Sequence, residues 1–164
     1  MTSIETIYVG IGGTGGHIIK SQKSFFKDKK HLYLDKNPAH QDEYDGLVGI
    51  DRNVYSKRHL PHYFSLENRY ILFLGLGGQT GSSIVYEILD YLELNNVEYH
   101  CYCFFPYSFE YISRIAIAKQ AVAKLELYNH VTILNLDKMK KRSQNLSLAS
   151  PFWIPNEILV EEYF

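Results

Sequence analysis

The chain has 164 residues, 46% hydrophobic and 21% charged, which suits one globular domain with a single core. A formal net charge of -1 leaves no basic excess for non-specific nucleic-acid binding, and the short run Lys138, Lys140, Lys141, Arg142 reads as a solvated loop. No apolar stretch is long enough to span a bilayer and the N-terminus has no signal-peptide pattern, so a cytoplasmic protein without membrane or nucleic-acid partners is expected.

Ile4 to Val9 reads as a short apolar strand, followed at once by Gly10-Ile11-Gly12-Gly13-Thr14-Gly15-Gly16 and a helix from His17 to Phe26. Lys27 to Lys30 is a charged turn. His31 to Asp35 is a second strand, stopped by Asn37-Pro38. Gln41 to Arg69 is polar and broken by Gly46, Gly49 and Pro61, with one short strand indicated near Leu47 to Ile50. Tyr70 to Leu76 is a buried strand. Gly77-Gly78-Gln79-Thr80-Gly81 follows, then an amphipathic helix from Ser82 to Leu94 with Ile84, Ile88, Tyr91 and Leu92 at helical spacing, ended by Asn95-Asn96.

Val97 to Phe105 is the next strand. Cys101 and Cys103 fall on one face of it as small buried hydrophobes, because a disulfide between i and i+2 has poor geometry, and alternation puts His100 on the other face. Pro106 to Phe109 is a loop, Glu110 to Tyr128 a long helix and Val131 to Leu136 a strand. Ser143 to Ser150 reads as polar linker and Asn156 to Phe164 as a last helix. His59, His62 and His100 have no further ligand at zinc spacing. Strands alternating with helices give βαβ units, a mostly parallel sheet, and both glycine loops at its carboxyl edge.

Two strand–glycine loop–helix units matter more than one. Glycine lets backbone approach a ligand, and the helix behind offers free N–H groups and a positive dipole end for phosphate. Neither loop ends in Gly-Lys-Ser/Thr, so there is no P-loop. Phosphate charge must be met by backbone N–H groups, the hydroxyls of Thr14, Thr80 and Ser82, a metal, or Arg114. Gly10, Gly12 and Gly15 also fit G-x-G-x-x-G, and Asp35 closes the next strand where a dinucleotide fold keeps its ribose-binding acid. A nicotinamide or flavin dinucleotide module is therefore a rival, although it leaves the second loop without a role.

Gly10 to His17 resembles the first loop of the tubulin/FtsZ family, GVGGGGGN. Leu74 to Ser82 resembles its signature loop, AGMGGGTGT, with Gln79 in place of a Gly and Ser83 in place of a further one. Phe105-Pro106-Tyr107-Ser108-Phe109-Glu110 is similar to KPFNFEG, and Arg114 to Gln120 to RMAFAEQ. Leu136-Asp137-Lys138 resembles N-D-K, with the Asn displaced to Asn135. Phe152 to Leu159 resembles FGAANDVL at the start of the family's central helix.

The resemblance implies a doubly wound, mostly parallel Rossmann-like α/β sheet with helices on both faces, of the tubulin/FtsZ nucleotide-binding type. It implies GTP or GDP, with Mg2+, as ligand. The site it marks comprises Gly12, Gly13, Thr14, Gly16, His17, Asp35, Gly77, Gly78, Gln79, Thr80, Gly81, Ser82, Pro106, Glu110, Arg114, Asn135, Phe152 and Asn156. In the family the Glu holds the ribose, the Arg reaches the sugar–phosphate, the Phe stacks on guanine and the Asn bonds its edge. Glu110 and Arg114, one turn apart on one helix face, can meet one ligand.

The stretch after the second strand lacks a GAGANP-type phosphate switch. The chain reads as one nucleotide-binding domain, 1–164, that stops within the central helix, before the family's catalytic acid loop and activation domain. No residue is a general base for water, so at most a weak or partner-dependent GTPase is expected, acting by self-association or with a full-length tubulin-like partner. Three classes stay open: a guanine-nucleotide module tuning or capping a filament, a dinucleotide-binding fragment, and an interaction domain that kept the fold and lost the ligand. The Glu110/Arg114 and Phe152/Asn156 pairs favour the first, Asp35 the second, and Gln79, Ser83 and the missing switch the third.

Overall fold

Apolar runs separated by glycine and polar turns become strands that pair side by side. A computed structural model describes residues 3–21, 26, 28–35 and 50–142. Its strands are β1 (Thr6–Ile11), β2 (Lys30–Asp35), β3 (Ile50–Val54), β4 (Arg69–Gly75), β5 (Tyr99–Phe105) and β6 (Val131–Asn135). All pairings are parallel, in the order β3-β2-β1-β4-β5-β6. The helices are α1 (Gly12–Ser21), α2 (Leu60–Tyr63), α3 (Gln79–Leu94), α4 (Ile112–Leu125) and α5 (Leu136–Arg142). This is a doubly wound α/β sheet.

Alternation along the strands divides the core in two. Val9, Ile11, Leu32, Leu34, Leu72, Leu74, Cys101 and Cys103 share one buried cluster with residues of α3 and α4, such as Ile84, Ile88, Ala118 and Leu125. Phe73 and Phe104 point the other way, to Ile18 and Ile19 of α1, Phe26, and Leu136 and Met139 of α5. The two cysteines are free, buried thiols with Sγ atoms 3.7 Å apart. His100, off that cluster, has Nε2 2.7 Å from Thr132 Oγ1. Among the described residues no helix is long and apolar enough to cross a membrane.

Several boundaries differ from the sequence expectation, each for a local reason. β1 runs on through Gly10 and Ile11, which pair with Tyr33 and Leu34 on one side and Phe73 and Leu74 on the other. The glycine run is thus the strand's end and the first turns of α1, not a loop before a helix at His17. α3 likewise starts at Gln79, inside its glycine segment. α4 starts at Ile112: Tyr111 has extended backbone (φ -55°, ψ 139°), and Glu110 lies before the helix in a turn closed by its N–H on the Tyr107 carbonyl.

The basic run from Lys138 is helical rather than a loop. Leu136 and Met139 anchor α5 in the core, and Asn135 Oδ1 accepts the Lys138 N–H at 3.2 Å as an N-cap. The sequence also gave no sign of the 3-10 turn Lys57–His59 and α2, where Pro61 sits in the first helical turn and its missing N–H costs nothing. The strand indicated near Leu47 to Ile50 begins at Ile50; 41–49, the linker Ser143 to Ser150 and the last helix from Asn156 lie outside the described residues.

Three carboxylates of α3, each a turn or so from the next, are held by tyrosines from three other elements. Tyr55 donates to Glu87 at 2.6 Å, Tyr128 to Asp90 at 2.6 Å and Tyr99 to Glu93 at 2.7 Å. Burial and then the carboxylate partners raise all three phenol pKa values. A raised folded pKa stabilises fully below the unfolded value of about 10 and is lost as pH climbs above it. Urea midpoints should hold steady from pH 7 to 9 and fall above about pH 10. Tyr55→Phe should cost about 1 kcal/mol at pH 7 by leaving Glu87 without its donor, and should soften the alkaline fall.

Candidate functional site

The sheet order reverses between β2 and β4, with β1 in the middle, so the carboxyl ends of β1 and β4 lie side by side at the switch point. The chain leaves both ends directly into helices. Gly12 (φ 69°) and Gly77 (φ 91°) make the two turns in the left-handed region that favours glycine. Neither α1 nor α3 has an acidic residue in its first turn, and Gly78, the N-cap of α3, supplies no side-chain hydrogen bond. Two positive helix ends therefore face one crevice without a carboxylate of their own.

Packing explains some of the glycines here and not others. A methyl group on Gly15 would collide with the Phe73 carbonyl oxygen of β4, and one on Gly10 would stand 2.7 Å from the Gly15 oxygen. One on Gly75 would stand 2.5 Å from Thr14 Oγ1, and one on Gly77 2.7 Å from the Arg114 carbonyl oxygen. Gly13 and Gly78 are different. Nothing lies within 4 Å of a methyl on either, and neither has positive φ. Neither the core nor the backbone requires glycine there. Both open positions lie at the start of a helix in the same crevice.

A third element completes the edge. Glu110 Oε1 accepts the Tyr107 N–H at 3.0 Å, and its Oε2 lies 3.1 Å from Arg114 Nε. The pair was expected on one helix face; it spans instead from the turn into the first residues of α4, and still meets. Its geometry is that of an ion pair, not of an aligned hydrogen bond: Arg114 Nε is buried with no hydrogen-bond partner. The Arg114 backbone covers Gly77, so this residue joins α4 to the second glycine segment. Pro106 and Tyr107 are buried beneath the turn, and Tyr107 stacks on Phe109 with centroids 4.8 Å apart. Burial first, then the charges of Asp137 and Glu110, push the Tyr107 phenol up to about 12. Asp137, at the start of α5, accepts the Ser108 N–H at 3.1 Å and fastens the turn from the far side.

The structure thus gathers Gly12, Gly13, Thr14, Gly77, Gly78, Glu110 and Arg114. Gly16 is buried and His17 half-buried in α1. Asp35 ends β2 at the same edge but is fully buried, with Tyr33 donating to its Oδ2 at 2.6 Å. Asn135 commits its side-chain oxygen to capping α5. Gln79, Thr80, Gly81 and Ser82 form the first turn of α3; their side chains, like Phe152 and Asn156 entirely, lie outside the described residues. Gly75 and Asp137 were not among the expected site residues, although the signal was there: both fall in segments that resemble the family's motifs, Leu74 to Ser82 and Leu136-Asp137-Lys138. Among the described residues no group of three or more His, Cys, Asp or Glu is placed to hold a metal ion.

No protein-family profile and no curated protein sequence matches the chain. Solved structures do. FtsZ of M. jannaschii, solved as an empty dimer, aligns with a TM-score of 0.75 at 16% identity, over 98% of this chain and 53% of that one. CetZ from Methanosaeta thermophila gives 0.70 at 11% identity, over 97% and 54%. TubZ of Bacillus thuringiensis serovar israelensis, solved as GDP-form protofilaments, gives 0.65 at 11%, over 96% and 51%. The chain spans about half the length of these proteins. Its fold is tubulin/FtsZ-like, as the glycine segments and the Pro106 to Arg114 motif suggested.

The two classes of glycine should separate by experiment. Gly13→Ala should leave the thermal midpoint unchanged or higher, because alanine gains about 0.5–1 kcal/mol over glycine in a helix and meets nothing here. Gly15→Ala should lower it by several degrees, since a backbone carbonyl cannot move aside. Circular dichroism melts of the two variants check this.

Proposed function

We propose that the protein binds a guanine nucleotide, GTP or GDP, at the edge where β1 and β4 end. The observation that carries this is the pair of open glycines, Gly13 and Gly78, at two adjoining helix N-termini. A Cβ-free, positively polarised cradle fits a chain of phosphates. Backbone N–H groups there, with Thr80 and Ser82 of the second segment, hold phosphate oxygens, and Mg2+ is carried by the phosphates themselves. Arg114 supplies the fixed positive charge and breaks its loose contact with Glu110 to do so. Glu110 then takes the ribose hydroxyls. The base lies toward Phe152 and Asn156, by the family resemblance, and the GDP-form TubZ structure supports guanine as that base.

Hydrolysis by this chain acting alone is not part of the proposal. Among the described residues, three carboxylates at this edge already accept hydrogen bonds: Asp35 from Tyr33, Glu110 through one oxygen from the Tyr107 N–H, and Asp137 from the Ser108 N–H. A water-positioning acid therefore comes from outside the site, through self-association or a longer tubulin-like partner, and the chain tunes or caps such an assembly. FtsZ and TubZ relatives in fold were solved as a dimer and as protofilaments.

A dinucleotide is the second reading, favoured by the strand order and by Gly10, Gly12 and Gly15. Its ribose acid, Asp35, is fully buried and accepts a hydrogen bond from Tyr33. Isothermal titration with GTP, GDP, ATP and NAD in the presence of Mg2+ tests both. Guanine-selective binding is expected, weakened about 10- to 100-fold by Arg114→Ala through loss of a charged hydrogen bond. A preference for NAD would overturn the proposal in favour of the rival. No binding at all would leave an interaction domain on a nucleotide-binding fold.

A further inference from the structure

The two glycine segments are not independent cradles. Thr14, in the first turn of α1, stands directly on Gly75, the last residue of β4 and the one from which the second segment departs. A methyl on Gly75 would meet Thr14 Oγ1 at 2.5 Å, Cβ at 2.7 Å and Cγ2 at 3.1 Å. The Cβ contact is decisive. Rotating χ1 moves the oxygen and the methyl but not Cβ, and a β-branched residue in a helix has little rotamer freedom. Thr14 and Gly75 therefore fit only as a pair. Two residues on, Gly77 fits in the same way beneath the Arg114 carbonyl. A continuous line of close contacts runs from α1 through Gly75 and Gly77 to Arg114.

We infer that Thr14 is a positioning residue: its side-chain shape, seated on Gly75, sets the second glycine segment and through it Arg114, so that Gly13 and Gly78 face one ligand together. The hydroxyl is not what matters; the branched volume is. This rests on the reading of the edge as a nucleotide site, and it assigns to Thr14 a role other than the phosphate hydroxyl first expected from sequence.

GDP with Mg2+, measured by titration calorimetry on the full chain, tests it. Thr14→Val keeps the shape and removes the hydroxyl; affinity should stay within about threefold of the unsubstituted protein. Thr14→Gly should weaken GDP at least tenfold. Gly75→Ala should do likewise, and adding Gly75→Ala to Thr14→Gly should cost no more than about a further threefold, because the three atoms nearest the methyl are then gone. Tenfold or greater loss in Thr14→Val would show the hydroxyl meeting the ligand directly and overturn the inference. Equal losses from Gly75→Ala in both backgrounds would do the same.

Thermal midpoints of the unsubstituted protein and the same four variants keep the two claims apart. If the unsubstituted chain binds no GDP, the proposed function fails. The steric pairing would still be read from whether Thr14→Gly suppresses the destabilisation by Gly75→Ala. If Gly75→Ala alone does not fold, recovery of folding in the double variant supports the pairing, and failure there too contradicts it.

Discussion

The first turn of α1 lies so close to β4 that a single added methyl at Gly15 would strike the Phe73 carbonyl. Most of what is distinctive about the molecule depends on that approach. A helix packs on a sheet at a distance set by the side chains between them. Glycines at 10 and 15 remove those side chains, so α1 settles over the boundary between β1 and β4 rather than standing off from β1 alone. The start of α1 is then beside the start of α3. Without the close approach, the sheet would still form from its parallel pairings, but the two helix ends would not share a crevice.

Electrostatics follow from this placement. A helix N-terminus lacks intrahelical partners for its first N–H groups, and two positive dipole ends side by side favour water or an anion facing them. No acidic residue occupies the first turn of either helix, and Asp35, Glu110 and Asp137 accept from other donors. Among the described residues, the buried Nε of Arg114 has no aligned acceptor. Such an edge is poised for negative charge. On the proposed function, selectivity among phosphate-bearing molecules is not set by the glycines. That depends on what holds the sugar and the base.

The fold was legible because its signals are strong ones. Continuous apolar runs such as Tyr70 to Leu76, each followed by glycine and a helical period, leave little besides parallel βαβ units. Boundaries were less so. Parallel neighbours on both sides carried β1 two residues into the glycine run, and the extended backbone at Tyr111 delayed α4 until after Glu110. α5 was missed because its buried anchors, Leu136 and Met139, are only two residues in a basic stretch. Within the candidate site, motif spacing singled out Gly13, Gly78, Glu110 and Arg114. It could not tell open glycines from packed ones, since that distinction depends on what lies across the sheet. The burial of Asp35 was hidden for the same reason: a strand-ending acid looks accessible until Tyr33 is found donating to it. Nothing in the spacing of Thr14 and Gly75 marks them as partners.

The central claim is that Gly13 and Gly78 face the phosphates of one ligand. Backbone amide resonances of a 15N-labelled sample, followed as GDP and Mg2+ are added, address it residue by residue. Charged acceptors draw amide protons downfield, so the Gly13 and Gly78 signals should move together, with one saturation curve, and further than those of Gly10 and Gly15 beneath them. Saturation with both signals unmoved, or with shifts confined to the opposite end of the sheet, would contradict it.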